Sequence, residues 1–98
     1  TELLRFRSIM RGSDFAELKA FATVVERASF ARAADQLGLS ASALSQTIRQ
    51  LETRLGVRLL NRTTRSVGPT EAGARLHERV APLLKEFDAA VSAFLSGR

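Results

Sequence analysis

One short stretch in the first half of the chain combines a small residue, a glycine and three apolar residues at a spacing that few folds accommodate. Ala34 is small enough for two helices to cross closely, and Gly38 follows four residues later, where a tight turn needs an unhindered backbone. Leu39 is expected to turn inward after the glycine, while Leu44 and Ile48 supply apolar anchors one helical turn apart. The spacing therefore predicts two helices joined by a short turn, the second packed across the first.

Apolar spacing predicts another helix before this pair. Ser13 or Asp14 is its candidate N-cap, and Glu17 stands where the capping-box partner of Asp14 is expected. The helix is expected to end near Arg27 or Ala28. Its inner face is expected to carry the apolar residues that recur at helical intervals, which are Phe15, Leu18, Phe21, Ala22 and Val25.

Hydroxyl residues and glycines mark the ends of the two paired helices. Ser29 is expected to cap the helix that Gly38 ends, and Ser40 is expected to cap the next helix, which Gly56 ends. The third helix is therefore the one that carries the two apolar anchors. Its polar residues are forced onto the opposite, outward face.

The pattern changes after Gly56. Val57, Leu59 and Leu60 lead into residues 61–69, a short stretch that tolerates β-structure and contains several turn-forming residues. This predicts a two-stranded hairpin, here called the wing. Two strands alone are marginally stable, so the wing must pack on the helices. Asn61 is expected to be a turn residue.

Thr70 is the candidate N-cap of a final helix from Glu71 to Leu95, about 37 Å long at ~1.5 Å per residue. Its apolar residues recur at alternating intervals of four and three, the heptad pattern of a helix that packs along a partner. We call this set the heptad stripe, and it comprises Leu76, Val80, Leu83, Phe87, Ala90 and Phe94, widened by Leu84, Val91 and Leu95. A chain of 98 residues builds only a modest core, so a second copy is expected to cover the stripe.

Pro82 lies inside this last helix and predicts either a bend or a break. We favour the bend, because the heptad spacing continues across the proline. The predicted dimer interface is Leu76, Val80, Leu83, Phe87, Ala90, Val91 and Phe94.

The positive charge is concentrated in one part of the chain. The net charge is +5, and the stretch between Ser29 and Arg65 holds six arginines against two acidic residues, which accounts for +4 of it. Such a concentration indicates a polyanionic partner, and guanidinium groups suit phosphates and base edges. Nucleic acid is therefore the expected partner.

Composition excludes several other kinds of function. The chain has no cysteine, which removes disulfides, thiol catalysis and cysteine-ligated metal. His77 has no second ligand at metal spacing, and no nucleophile–base pair or phosphate-binding loop is present. We therefore expect no enzymatic activity, no metal and no cofactor. Without a long apolar run or a signal-peptide pattern, a cytoplasmic location without membrane association is expected.

The outward face of the third helix carries short polar side chains near the helix N-terminus, which would let it lie deep in a major groove. Ser45 can donate or accept at a base edge, Gln46 can pair with adenine through two hydrogen bonds, and Ala41 can contact a thymine methyl group. The expected base-contacting residues are Ala41, Ser42, Ser45 and Gln46. Arg49, one turn further on, is expected to reach phosphate.

Other side chains are expected to hold the DNA backbone without specifying sequence. They are Ser29, Arg32, Ser40, Arg49, Arg62, Thr63, Thr64 and Arg65. The last four belong to the wing, where two arginines suit phosphates or a narrow minor groove. For Arg54 and Arg58 two alternatives stay open: each side chain pairs with Glu52 or faces solvent.

A larger pattern extends through most of the chain. Its residues are Leu18, Phe21, Ala28-Ser29-Phe30, Arg32-Ala33-Ala34, Leu37, Ser40, Ala43-Leu44-Ser45, Ile48, Leu51-Glu52, Leu55-Gly56-Val57, Leu59-Leu60, Arg62-Thr63 and Thr70-Glu71-Ala72-Gly73. With this pattern, residues 15–95 resemble the N-terminal DNA-binding region of LysR-type transcriptional regulators, a bacterial family. The resemblance implies a dimer joined by its last helix, which places one recognition helix on each half-site of an interrupted dyad. It also implies a larger C-terminal effector-binding domain, so we expect the chain to be a DNA-binding fragment in preference to a natural short form. A higher oligomer is left open for a full-length protein.

The chain departs from the family pattern at the recognition helix. The family often has Gln-Pro at the positions of Ala41-Ser42 and Arg at the position of Gln46, so family base preferences are not carried over. Pro69 occupies a position at which the family frequently has Leu.

The predicted fold is mainly α, a winged helix-turn-helix of three helices and a short β-hairpin followed by a long C-terminal dimerisation helix. The expected division is an N-terminal arm or tail at 1–13, the winged helix-turn-helix DNA-binding domain at 14–69 and the linker and dimerisation helix at 70–98. The expected function is sequence-specific binding of double-stranded DNA by a homodimer. The recognition helix, about residues 40–55, would lie in the major groove, and the wing, about residues 60–67, on phosphates or the minor groove.

Two other functions fit the same residues. A non-specific architectural duplex binder needs the charge but no base contacts. A protein-interaction module would use the heptad stripe and form dimers that ignore DNA.

Overall fold

The structure is a computed structural model that describes residues 14–63 and 66–97. Within these ranges it has four helices and one two-stranded antiparallel sheet: α1 Asp14–Arg27, α2 Phe30–Leu37, α3 Ala41–Leu55, β1 Leu60–Arg62, β2 Val67–Pro69 and α4 Glu71–Ser96. The predicted fold class, three helices with a hairpin wing and a long last helix, is confirmed. The expected arm at 1–13, together with Thr64, Arg65 and Arg98, lies outside the described residues.

The core forms where α1 lies against α2, α3, α4 and the wing. Its largest fully buried side chains come from three of these elements and the segment that leads into the wing: Phe21, Val24, Leu44, Ile48, Leu59 and Leu60. Ala34 is 4% exposed at the crossing of α2 and α3, as its small size predicts. Both apolar anchors of α3 are therefore inside, and this fixes which face of α3 points outward.

Two apolar residues were expected to face inward and do not. The Leu39 N–H donates to the carbonyl oxygen of Ala34 at 2.9 Å and so closes the end of α2, and in this turn the side chain is left 40% exposed. Phe15 is also 40% exposed, and its ring lies 4.6 Å from that of Phe87 on α4. Phe15 therefore extends an apolar surface on the outside of the domain.

The predicted N-caps of α2, α3 and α4 are present. The hydroxyls of Ser29, Ser40 and Thr70 accept hydrogen bonds from backbone N–H groups three residues later at 3.0–3.2 Å. Gly38 and Gly56 take left-handed conformations, with φ of 71° and 72°, as helix-ending glycines do.

Arg54, near the end of α3, reaches back to the first turn of α1. Its Nη2 lies 2.7 Å from Asp14 Oδ1 and also contacts Glu17 Oε1, and none of the three side chains is more than 17% exposed. Both expectations for Arg54, a pair with Glu52 or exposure to solvent, are therefore wrong. Asp14 already lies within α1, so it is not the N-cap, and Ser13, the other candidate cap, lies outside the described residues.

The wing pairs Leu60 with Pro69, Asn61 with Gly68 and Arg62 with Val67. Leu60 and Val67 are buried, which anchors the wing on the helices as expected for a hairpin too short to stand alone. Asn61 lies in β1 with its side chain exposed, so its expected place in a turn is wrong.

Helix α4 continues unbroken through Pro82, so the alternative of a break is wrong. Contacts along residues 73–88 join it to the domain. Gly73 is buried against Leu59, His77 Nε2 lies 3.1 Å from Glu26 Oε2, and Lys19 Nζ lies 3.4 Å from Asp88 Oδ1. In the part of the chain that the structure describes, no helix is long and apolar enough to cross a membrane.

Ala28 ends α1 with a φ of 53°, the one positive φ outside glycine in residues 14–63 and 66–97. This conformation costs an L residue roughly 1 kcal/mol relative to glycine. We expect Ala28→Gly to raise the free energy of unfolding by about 0.5–1 kcal/mol, measured by urea denaturation. The matched control is Ala31→Gly in α2, which should lower it by about 1 kcal/mol. A loss of stability in Ala28→Gly would contradict this account.

Candidate nucleic-acid interface

The surface of α3 away from the core is the candidate site. Its inner side is fixed by Leu44, Ile48 and Leu51, each at most 2% exposed. The opposite side, which we call the outer face, carries Ala41, Ser42, Gln46 and Arg49, all exposed, and the half-buried Ser45. The residues predicted to contact bases thus lie together on one side of one helix.

Ser45 is the meeting point of the helix and the wing. Its Oγ accepts a hydrogen bond from Arg62 Nη1 at 2.8 Å and another from Arg49 Nη2 at 3.3 Å. Two of the arginines that were predicted to hold DNA phosphates therefore converge on a residue that was predicted to contact a base. Sequence spacing indicates the Arg49 contact, one helical turn away, but gives no signal for Arg62.

Arg62 also stacks on an aromatic ring. The central guanidinium carbon lies 4.3 Å from the ring centre of Phe30, the first residue of α2. A guanidinium at this distance from a ring face is held by a cation–π interaction. Beside it, a hollow of about 250 Å³ opens between the start of α2 and the wing, lined by Ala28, Ser29, Phe30, Arg62, Thr63 and Ser66 among others.

The turn of the wing is closed by its own hydroxyl groups. Thr63 N–H donates to the Ser66 carbonyl oxygen at 2.9 Å, and Ser66 N–H donates to Thr63 Oγ1 at 3.0 Å. The hydroxyl of Thr63 is thus part of the frame that holds the wing. Thr64 and Arg65, predicted for the same tip, are outside the described residues.

The remaining backbone-contact candidates lie at helix starts. Ser29 and Ser40 use their hydroxyls to cap α2 and α3, and Arg32 is exposed in the first turn of α2. A capped helix start presents free N–H groups and a positive dipole end, an arrangement that suits an anion such as a DNA phosphate.

Glu52 is a residue that sequence reasoning missed. Its Oε2 accepts hydrogen bonds from the backbone N–H groups of Leu59 at 2.8 Å and Leu60 at 3.2 Å. Glu52, on α3, thus fixes the position of the start of the wing relative to the outer face. The signal in the sequence is that Glu52 is one of two acidic residues against six arginines between Ser29 and Arg65.

The heptad stripe divides into two parts in this chain. Leu76 packs against the chain's own core, whereas Leu83, Phe87, Val91 and Phe94 are 62%, 51%, 43% and 73% exposed. Val80 is half-buried and Ala90 is exposed. The second half of α4 therefore presents an apolar surface that the described residues leave largely exposed, apart from the contact of Phe87 with Phe15.

No group of three or more His, Asp or Glu side chains in residues 14–63 and 66–97 is placed to hold a metal ion. His77 lies between the edge of Phe21, with ring centres 6.5 Å apart, and the carboxylate of Glu26. It therefore belongs to the join between α1 and α4.

Known proteins share both the sequence and the fold. Residues 15–74 match the family described as bacterial regulatory helix-turn-helix proteins, lysR family. The chain is 50% identical over 84 residues to the HTH-type transcriptional regulator PgrR of Escherichia coli (strain K12), covering 86% of this chain and 28% of PgrR. Across the first three curated relatives the chain spans about a quarter of their length, between 24% and 28%.

Two solved structures show the same architecture. The BenM DNA-binding domain in complex with catB site 1 DNA superposes with a TM-score of 0.74 at 37% identity, covering 83% of this chain and 90% of that one. Full-length AphB of Vibrio cholerae, a virulence activator, superposes with a TM-score of 0.79 at 29% identity, covering 87% of this chain and 28% of AphB. With a family match that spans the helix pair, the wing and the start of α4, the chain belongs to the LysR family of bacterial regulatory helix-turn-helix proteins.

Proposed function

We propose that the chain binds double-stranded DNA in a sequence-specific manner, with α3 in the major groove. The observation that carries this proposal is the outer face itself: short side chains at the start of an exposed helix, with Arg49 and Arg62 converging on Ser45. Short side chains let the helix approach the base edges, and the arginines supply the attraction to phosphates.

The contacts divide by chemistry. Base contacts are assigned to Ala41, Ser42, Ser45 and Gln46, of which Gln46 is exposed and able to form two hydrogen bonds with adenine. Backbone contacts are assigned to Ser29, Arg32, Ser40 and Arg49 on the helices and to Arg62, Thr63, Thr64 and Arg65 on the wing, which would lie on phosphates or in the minor groove.

Two copies are proposed to join through the heptad stripe. The exposed residues Leu83, Phe87, Val91 and Phe94 form an apolar surface along α4, and a second α4 is complementary to it in length and chemistry. A dimer of this kind carries two recognition helices, which suits an interrupted dyad with one half-site for each copy.

The relatives support a regulatory role. PgrR is named as a transcriptional regulator, and the BenM domain was solved on DNA. We therefore propose that this chain is the DNA-binding part of a longer bacterial transcription regulator that acts in the cytoplasm and catalyses no reaction. A higher oligomer of the full-length protein is compatible with this arrangement.

The test uses duplex sites that the wild-type chain enriches from a random DNA pool. Arg62→Ala is expected to weaken binding to every duplex and to lower the slope of log affinity against log salt by about 0.9, the release expected for one lost phosphate contact. Gln46→Ala is expected to act at one base pair, reducing discrimination there by about 1–3 kcal/mol. Fluorescence anisotropy at several salt concentrations measures both effects.

The matched control for Arg62→Ala is Arg79→Ala, which removes the same charge from an exposed position on α4. It should leave both affinity and salt slope close to those of the wild type. Equal wild-type affinity for all duplexes would instead favour an architectural binder. Dimers that bind no duplex would favour a protein-interaction module.

A further inference from the structure

Three elements meet at the guanidinium group of Arg62. The residue stands at the end of β1, the ring of Phe30 at the start of α2 lies beneath its guanidinium at 4.3 Å, and Ser45 Oγ on α3 accepts from its Nη1 at 2.8 Å. The side chain is thus held on one face and at one edge. Its neighbours come from parts of the chain that are 17 and 32 residues away.

An exposed arginine without such neighbours samples many rotamers. Binding a phosphate or a base then has to immobilise the side chain, which weakens the complex. A guanidinium group has five N–H donors, and Ser45 accepts from one of them. The grip of Phe30 and Ser45 therefore fixes the direction of Arg62 and leaves donors for a nucleic acid.

We propose that Phe30 and Ser45 are positioning residues that hold Arg62 in its DNA-binding conformation before DNA arrives. This inference rests on the proposed function, because it assigns a way in which the same site gains affinity. It gives Phe30 a role beyond packing, and it gives Ser45 a role in addition to any base contact. Ser45 also accepts from Arg49, so one hydroxyl orients an arginine on each side of it.

The location of Phe30 separates this role from that of a core residue. Its side chain is half-buried and packs partly against the core, while its ring face is turned to Arg62. Phe30→Leu keeps an apolar side chain at that place and removes the ring. Phe30→Tyr keeps the ring and tests whether the aromatic face is the property that matters.

The experiment is a double-mutant cycle on the 98-residue chain, with affinity measured on duplex sites that the wild-type chain enriches from a random pool. Phe30→Leu and Ser45→Ala are each measured with Arg62 and with Arg62→Ala. We expect Phe30→Leu to reduce affinity roughly three- to tenfold with Arg62 present and less than about twofold in Arg62→Ala. Phe30→Tyr should recover most of the loss, and Ser45→Ala should likewise lose more affinity when Arg62 is present.

A second measurement needs no DNA. The ¹⁵N relaxation of Arg62 Nε should report an ordered side chain in the free wild type and a mobile one in Phe30→Leu, while circular dichroism shows that the variant remains folded. Equal losses with and without Arg62, or a mobile Arg62 in the free wild type, would overturn the inference and leave the proposed function standing. A wild-type chain that binds no duplex would instead contradict the proposed function, and the DNA-binding role of Arg62 with it.

Discussion

Gly73→Ala is expected to destabilise the fold by more than about 3 kcal/mol, a large part of the 5–15 kcal/mol that stabilises a typical domain. A Cβ at this position would meet the carbonyl oxygen of Leu59 and approach its carbonyl carbon to 2.9 Å. The carbonyl oxygen and carbon of Leu59 are both backbone atoms, so they cannot move aside as the end of a flexible side chain would. The expected measurement is a fall in the free energy of unfolding in urea.

The surroundings of Leu59 prevent an easy adjustment. Its N–H is held by Glu52 at 2.8 Å, and its carbonyl oxygen accepts from Thr70 N–H at 3.0 Å. Moving Leu59 away from α4 would therefore break hydrogen bonds that set the wing on α3. We expect the variant to lose affinity for duplex DNA even at temperatures where part of the population is folded.

Gly68→Ala is the matched control for this prediction. Gly68 lies in β2 and has nothing within 4 Å of the position where a Cβ would be placed. The same chemical change there should alter the free energy of unfolding by less than about 1 kcal/mol. A Gly73→Ala variant as stable as Gly68→Ala would show that α4 does not approach the wing as closely as the structure has it.

Phe94→Asp is expected to convert dimers into monomers and to reduce affinity for a duplex with two half-sites by about 100-fold or more. Phe94 is 73% exposed on α4, so the side chain contributes little to the stability of its own chain. A carboxylate at this place would be buried without a partner in the proposed interface. Loss of the dimer removes the high effective concentration of the second recognition helix, an effect worth 10²–10⁴ in affinity.

Sedimentation equilibrium measures the first effect, and anisotropy with one or two half-sites measures the second. Affinity for a single half-site should be almost unchanged, because Phe94 is remote in sequence from the outer face and the wing. Ser92→Asp is the matched control, since it adds the same charge to the same helix at an exposed position outside the heptad stripe. A Phe94→Asp chain that still sediments as a dimer would refute the proposed interface.

The spacing of residues along the chain predicts those parts of the fold that depend on contacts between residues close in sequence. Ala34, Gly38, Leu44 and Ile48 predict the crossing of α2 and α3 because each acts within one or two helical turns of the next. The hydroxyl caps are also local, since a cap bonds an N–H three residues away. Helix crossings and caps of this kind can be predicted without knowing which distant segments of the chain come into contact.

Two of the missed features depend on contacts between distant segments. Arg54 pairs with Asp14 and Glu17, which lie 40 and 37 residues earlier in the chain, and no periodicity links them. Glu52 orders the backbone that leads into the wing through hydrogen bonds to main-chain groups, which leave no mark in side-chain pattern.

The candidate site shows the same division. Helical spacing indicates that Ala41, Ser42, Ser45 and Gln46 share one side of α3, and the structure places them there. The approach of Arg62 to Ser45 and Phe30 depends on where the wing is held, and the wing packs through β2 against α1 and α4 with Leu60 and Val67 buried. The sequence therefore predicts which residues lie on the outward side of α3, and the tertiary packing determines how the side chains around them are oriented.

An NMR titration of the ¹⁵N-labelled chain with an enriched duplex tests most directly whether the outer face and the wing bind DNA. The account predicts that the largest amide shifts fall within residues 40–50 and 60–67, with the side-chain Nε of Arg49 and Arg62 shifting as well. Shifts confined to the exposed end of α4 or to the outside of α1, with residues 40–50 unchanged, would contradict it.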